Sequence, residues 1–260
     1  MALLLFTWLQ ACANGIHEHS GAVTGTLEGK NAQQAQAIQA TMGAGKEPYS
    51  FAVTSDPHEH HLELRRVLDH MRADTSIRFV VVCGDVTARG KEEEMLEYIR
   101  IMDASGLPYL TVIGNREHLD QGSQGFEKLF GARNLSFLVG SSRLVLFDNV
   151  VKESRLALDT TWLNTAIDTV HDSLVLMFMH VQPSDPSLAD GPLKILERII
   201  ARHRPAHVFM GHNHYHRQGS FADGTPYTTV SWPVAGEYVK VRVEDLVVQV
   251  ERIRLGDEEE

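Results

Sequence analysis

A chain of 260 residues, 43% of them hydrophobic and 22% charged, has enough apolar material for one large core or two small ones and reads as soluble and globular. Its 24 basic and 34 acidic residues leave a formal net charge of -10, which argues against a nucleic-acid polymer as partner, because such partners are gripped through their phosphate backbone. No apolar run approaches the length of a membrane-spanning helix.

Residues 2–9 form a short apolar stretch that leads into Leu9-Gln10-Ala11-Cys12, which resembles the lipobox closing a bacterial lipoprotein signal peptide. On that reading residues 1–12 are the signal, Cys12 is lipidated, and membrane attachment through it places the protein at the cell envelope. The other reading is a frayed or briefly helical N-terminus in the cytoplasm. No Lys or Arg precedes the apolar run, and Gln10 stands where the motif has a small or apolar residue. Residues 13–47, rich in Gly, Ala, Gln and Thr, suit a tether, with helix-forming composition from Asn31 to Met42 for a loosely docked helix. His17 and His19 fall in this segment and read as solvated. Cys12 and Cys83 are the only cysteines, and Cys83 lies in an apolar run, so no structural disulfide is expected.

From Pro48 the pattern becomes regular. Tyr49 to Ser55 reads as a strand, and Leu64, Val67, Leu68 and Met71 keep the i, i+3, i+4, i+7 spacing of a helix. Phe79 to Cys83 is apolar without alternation, the pattern of a strand buried on both faces, and it ends on Gly84-Asp85. Met95, Tyr98, Ile99 and Met102 mark a second helix whose acidic first turn, Lys91-Glu92-Glu93-Glu94, suits the helix dipole. Gly106 and Pro108 stop it, and Tyr109 to Ile113 follows as a strand. This alternation predicts βαβ units and a parallel sheet. Phe126 to Phe130 reads as a short helix stopped by Gly131, and Ser136 to Val139 with Arg143 to Phe147 as a hairpin across Gly140-Ser141-Ser142. A helix through Leu163, Ala166, Ile167 and Val170, a strand from Leu174 to Met179, a helix from Gly191-Pro192 to Arg202 and a strand from Ala206 to Met210 complete the middle. Beyond His216, the Asp223-Gly224 turn, the Val239, Val241, Val243 alternation and the run Leu246 to Ile253 predict antiparallel strands to the end.

Five of the strands end on residues able to do chemistry: Asp56-Pro57-His58, Gly84-Asp85, Gly114-Asn115, His180 and Gly211-His212-Asn213-His214. The carboxyl ends of parallel strands share one rim of a sheet, where ligands of α/β proteins bind. Oxygen and imidazole donors together suit Mn, Fe, Zn or Co, whereas two cysteines exclude an all-thiolate site.

Taken in order, these motifs resemble those of the calcineurin-like metallophosphoesterases, which run Asp-x-His, Gly-Asp, Gly-Asn-His-Asp or Glu, a later His, and Gly-His-x-His. The resemblance spans residues 48–255, leaving 256–260 as an acidic tail. It implies a four-layer α/β/β/α sandwich, two mixed sheets flanked by helices. It also implies two divalent transition metals, one held by Asp56, His58 and His214, the other by Asn115, His180 and His212, with Asp85 bridging. Asp85, Asn115, Arg116 and His180 are the residues it points to for catalysis. The expected function is hydrolysis of a small phosphorylated substrate, with a metal-bound hydroxide attacking phosphorus in line. With Asp56 and Asp85 as the only anionic ligands, four positive charges are incompletely neutralised, and the pocket attracts phosphate in spite of the acidic chain. Arg116 stands where the family usually has a His that serves the leaving group, and Arg cannot give up a proton near neutral pH. Two alternatives follow from Arg116: a pyrophosphohydrolase of a nucleotide or lipid-linked substrate, and a metal-bound scaffold without turnover. His60, His61 and His216 lie near the motifs as other proton sources. The loops Glu117 to Gln124, Val150 to Asp159 and Gln182 to Asp190 are expected to read the substrate.

Overall fold

The computed structural model describes residues 29–42, 47–120, 122–168, 174–182 and 191–256. The lipobox-like segment with Cys12, His17 and His19, Val170, the loop after Gln182 and the tail from Asp257 lie outside the described residues.

Helix α1 (Lys30–Met42) occupies part of the segment that composition assigns to a tether with a loosely docked helix. It is docked firmly, and the reason is an edge. Strand β3 (Tyr109–Thr111) is the last strand of its sheet, and an edge strand carries unpaired backbone groups. Asn31 satisfies them as another strand would: its Nδ2 donates to the Thr111 carbonyl at 2.7 Å and its Oδ1 accepts from the Thr111 N–H at 2.8 Å. Gln34 accepts from the Tyr109 N–H, and Gln39 donates to the Leu138 carbonyl on the other sheet. The helix docks through amides as well as through Ala32, Ala35 and Ile38, so its poverty in large apolar residues hides the docking.

The first sheet has the order β11-β10-β1-β2-β3. Strands β1 (Tyr49–Thr54), β2 (Ile77–Val82) and β3 run parallel, joined by helices α2 (His61–Ala73) and α3 (Glu92–Ser105). The uninterrupted apolar character of β1 and β2 matches burial on both faces, with Arg78 the one exposed residue among them. Helix α2 buries Leu64, Val67, Leu68 and Met71 against this sheet; α3 buries Met95, Tyr98, Ile101 and Met102, with Ile99 only partly covered, and ends on left-handed Gly106. Strand β10 (Glu237–Glu244) is antiparallel to β1, and β11 (Val247–Arg254) to β10.

The second sheet has the order β4-β5-β6-β7-β9-β8. After helix α4 (Gln124–Phe130) come the hairpin β4 (Leu135–Val139) and β5 (Ser142–Leu146), helix α5 (Thr160–Asp168), β6 (Leu174–Phe178), helix α6 (Gly191–His203) and β7 (His207–Met210). Strands β5, β6 and β7 are parallel. The expectation of antiparallel strands after His216 needs one correction. Strands β8 (Arg217–Ser220) and β9 (Pro226–Thr229) form an antiparallel hairpin, but β9 lies parallel to β7. The polar, largely exposed sequence of β8 belongs at the sheet edge, which leaves the buried Thr228 and Thr229 of β9 to pair with β7.

The layers are therefore α2 and α3, the first sheet, the second sheet, then α5 and α6. Between the sheets Phe51 stacks on Phe79 with ring centroids 4.9 Å apart, Phe178 stacks on Phe209 at 5.2 Å, and Phe51 presents an edge contact to both of the latter. This aromatic seam holds the two sheets face to face. The carboxyl ends of β1, β2, β3, β5, β6, β7 and β9 consequently come to one rim of the sandwich.

Candidate metal centre

All seven residues singled out by the motifs meet at that rim. Asp56, His58 and His214 form one group and Asp85, His180 and His212 another, with the donor atoms of each group within 4.8 Å of one another. Asn115 joins the second group, its Oδ1 2.9 Å from both His180 Nε2 and His212 Nδ1. The groups adjoin, since the His58 N–H donates to the Asp85 carbonyl oxygen and the His212 N–H to Asp56 Oδ2.

Local backbone geometry explains the glycines of the motifs. Asp56, His58, Asp85, His212 and His214 all have φ between 45° and 73°, the left-handed region that side-chain-bearing residues seldom occupy. Such strain concentrates where a fold must aim side chains at one point. Gly84, at φ 91°, packs against the His180 ring, and a Cβ there would meet Nδ1 at 2.6 Å. A Cβ on Gly211 would meet Ser55 Oγ at 1.8 Å, so the strand ends approach this closely only through glycine.

The residues fit divalent ions. The Nδ1–H of His58 donates to the Thr87 carbonyl at 2.9 Å and that of His180 to the Cys83 carbonyl at 2.7 Å, which turns both Nε2 lone pairs inward. There His58 Nε2 faces His214 Nε2 at 3.3 Å, and His180 Nε2 lies 3.2 Å from His212 Nδ1 and 3.3 Å from Asp85 Oδ1. Asp56 Oδ1 is buried with no hydrogen-bond partner, 3.4 Å from His214 Nε2. So many acceptors facing one another need positive charge between them. The electrostatics of the site make the same demand. Burial, the largest influence on His180, acts to lower its pKa, yet the Asp85 carboxylate prevails and raises it to about 10. Burial, the largest single influence on Asp85, acts to raise its pKa, but His180, the Arg116 N–H and His58 together prevail and hold it below the usual carboxylate range.

Arg116 sits at the mouth, its side chain 45% exposed. Its N–H donates to Asp85 Oδ1 at 2.8 Å, its Nε is 3.9 Å from Asp85 Oδ2, and Nη1 reaches the Ala88 carbonyl. His60 presents an edge contact to Trp232, whose ring stacks on His214 with centroids 4.4 Å apart. His61 begins α2. His216 stands apart, its pKa lowered by burial first and then by Arg252.

Three contributors escaped the sequence reading. Glu117 is fully buried, and its carboxylate accepts from the N–H groups of Asp85, Thr87 and Gly114 and from the Thr87 hydroxyl, at 2.8 to 3.0 Å. It belongs to the scaffold beneath the site, not to a substrate-reading loop. Burial first, then the Asp85 charge, raises its pKa to about 7. Its place directly after Gly114-Asn115-Arg116 was the available signal. Asn149 Oδ1 accepts from the N–H groups of His180 and Val181 and so fixes the end of β6; it follows an apolar strand as Asp85 does. Trp232 carried no signal in the sequence. A cavity of about 670 Å³ between α6 and the turn Phe221-Ala222-Asp223 is lined by none of these residues.

Glu117→Gln removes an acceptor from the N–H groups of Asp85, Thr87 and Gly114 and turns an amide donor toward backbone donors. We expect it to weaken divalent-metal affinity about 10- to 100-fold, as loss of groups that orient ligands does. Titration calorimetry with Mn on both proteins measures it, and unchanged affinity would assign Glu117 to folding alone.

Comparisons with known proteins agree with this geometry. The sequence profile of the family described as calcineurin-like phosphoesterase matches residues 49–227. No curated protein matches the sequence significantly. Among solved structures, a dimetal phosphatase from Danio rerio is similar with a TM-score of 0.66 at 13% identity, covering 79% of this chain and 96% of that one. A purple acid phosphatase from yellow lupin (Lupinus luteus) seeds aligns with a TM-score of 0.65 at 14% identity over 83% of this chain and 53% of its own length. A Plasmodium protein described as the anchor in the inner membrane complex aligns with a TM-score of 0.59 at 10% identity, covering 82% of this chain and 86% of that one.

Proposed function

Because the chain belongs to the calcineurin-like phosphoesterase family, we propose that it hydrolyses a small phosphorylated substrate with the help of two divalent ions. Asp56, His58 and His214 would hold one ion and Asn115, His180 and His212 the other, with the Asp85 carboxylate shared between them. The observation that carries this reading is the convergence of imidazole, amide and carboxylate acceptors in two adjoining groups, with Asp56 Oδ1 buried among them and making no hydrogen bond. Carboxylate, amide and imidazole donors suit Mn, Fe, Zn or Co. When bound, such a pair neutralises phosphate charge and makes a water acidic enough to attack phosphorus near neutral pH.

The chain's own groups do the rest. The carbonyls of Thr87 and Cys83 hold His58 and His180 in the tautomer that offers Nε2. Glu117 and Asn149 fix the backbone that carries Asp85 and His180. Arg116, half exposed beside Asp85, is placed to take a phosphate oxygen with its fixed fork of donors. It stays charged through the reaction, and this favours a leaving group that departs without a proton, such as phosphate from a pyrophosphate. A scaffold without turnover would have no use for a complete ligand set. Location at the cell envelope rests on the lipobox-like residues ending at Cys12 alone.

A panel of phosphomonoesters, phosphodiesters and pyrophosphates with Mn tests the proposal. Turnover of at least one class, lost on chelation, is expected. No hydrolysis of any class by protein carrying two ions would favour the scaffold.

A further inference from the structure

Large exposed apolar side chains are not spread evenly over this molecule. Among the described residues there are eight, and five of them, Leu62, Leu119, Leu156, Tyr215 and Val234, lie on the connections that leave the metal-bearing rim. Single exposed hydrophobics are ordinary, whereas a contiguous group beside a polar site marks a binding surface.

Three of the five lie within two residues of three rings that touch in turn, His60, Trp232 and His214. Leu62, 74% exposed, is in the first turn of α2, next in sequence to His60 and His61. Val234, 40% exposed, is in the short helical turn Pro233–Ala235, which packs against α2. Tyr215, 44% exposed, directly follows the ligand His214. Trp232 links them: it stacks on the His214 ring with an interplanar angle of 17°, and His60 meets it edge-on at 5.2 Å. Trp232 stacked on His214, with Leu62, Val234 and Tyr215 exposed within two residues of His60, Trp232 and His214, makes an aromatic and aliphatic shelf beside the first ligand group.

Resting on the reading given under Proposed function, we propose that this shelf is the subsite for the substituent that stays on the attacked phosphorus while the leaving group departs, and that the substituent is apolar, a hydrocarbon chain or aryl group. Adjacency decides the occupant. The shelf is continuous with a metal ligand, so the organic half of a bound phosphoester reaches it without any further partner. A sugar or short polar alcohol would leave Leu62 and Val234 in water and gain nothing from them.

The experiment is calorimetric binding of methyl-, propyl- and hexylphosphonate to the Mn-loaded protein, for wild type and for Leu62→Asn/Val234→Asn. Both substitutions are at exposed positions outside the ligand set and should leave the Mn content and the affinity for methylphosphonate unchanged. Burial of a methylene on a half-open surface strengthens binding about twofold, so hexylphosphonate should bind wild type about thirtyfold more tightly than methylphosphonate. In the double variant the difference should shrink to about threefold. A flat series in wild type, or an equal slope in both proteins, overturns the inference. Methylphosphonate reports the phosphate end alone, and its failure to bind would instead count against the metal-centred reading. Binding to phosphatidylcholine vesicles with a flat phosphonate series would assign the shelf to a membrane surface and also overturn the proposal.

Discussion

Asp85→Asn should lower the rate of phosphoester hydrolysis about a hundredfold to a thousandfold and reduce the metal content from two ions per chain to about one. The substitution is nearly isosteric. An asparagine oxygen can still accept from the Arg116 N–H, which bonds Asp85 Oδ1 at 2.8 Å, so the loop after Gly114 keeps its anchor. The charge is what disappears, and it comes from a carboxylate that stands in the second group, 3.3 Å from His180 Nε2, while the backbone carbonyl of the same residue accepts from the His58 N–H of the first. Bridged ions contribute several kcal/mol to stabilising charge in a phosphoryl-transfer transition state, and losing about 3–4 kcal/mol of that corresponds to the stated factor. Elemental analysis and initial rates with saturating Mn measure the two effects. Wild type holding one ion, or a variant with undiminished rate, would remove the shared-carboxylate assignment.

The parts of this centre legible in the sequence are those in which chain direction and side-chain chemistry coincide. A buried parallel strand has to be apolar along its length and has to end at the rim where ligands bind, so Phe79 to Cys83 running into Gly84-Asp85 reveals both the strand and the candidate ligand. The same holds for His180 and for Gly211-His212-Asn213-His214. What stayed hidden acts sideways, between segments distant in sequence. Trp232 matters because β9 inserts beside β7 and brings the following residues over His214, a choice of strand order made by the exposed character of β8. Asn31 matters because β3 is an edge, which depends on where the sheet ends. Glu117 lay in plain view in the motif, but its role depends on four donors that only the folded loops assemble around it.

Arg116 governs the second large effect, the dependence of rate on the leaving group. A general acid contributes about a hundredfold to ten-thousandfold, most where the departing oxygen is a poor leaving group such as an alkoxide. A guanidinium beside Asp85 can hold a phosphate oxygen but has no proton to give below about pH 12. Wild type should therefore cleave pyrophosphates and activated aryl esters readily and simple alkyl monoesters about a hundredfold or more slowly, with a steep fall of rate as leaving-group pKa rises. Arg116→His restores an acid at the same place in the loop and should flatten that dependence. Arg116→Ala should keep the steep dependence and weaken binding of every substrate, because the phosphate clamp is gone. The three rate series, measured where chemistry limits turnover, separate the possibilities. A shallow dependence in wild type would mean that another group supplies the proton. His60 is the first to replace in that case, since it touches the Trp232 ring that covers His214, whereas burial and then Arg252 lower the pKa of His216, which stands apart from the site.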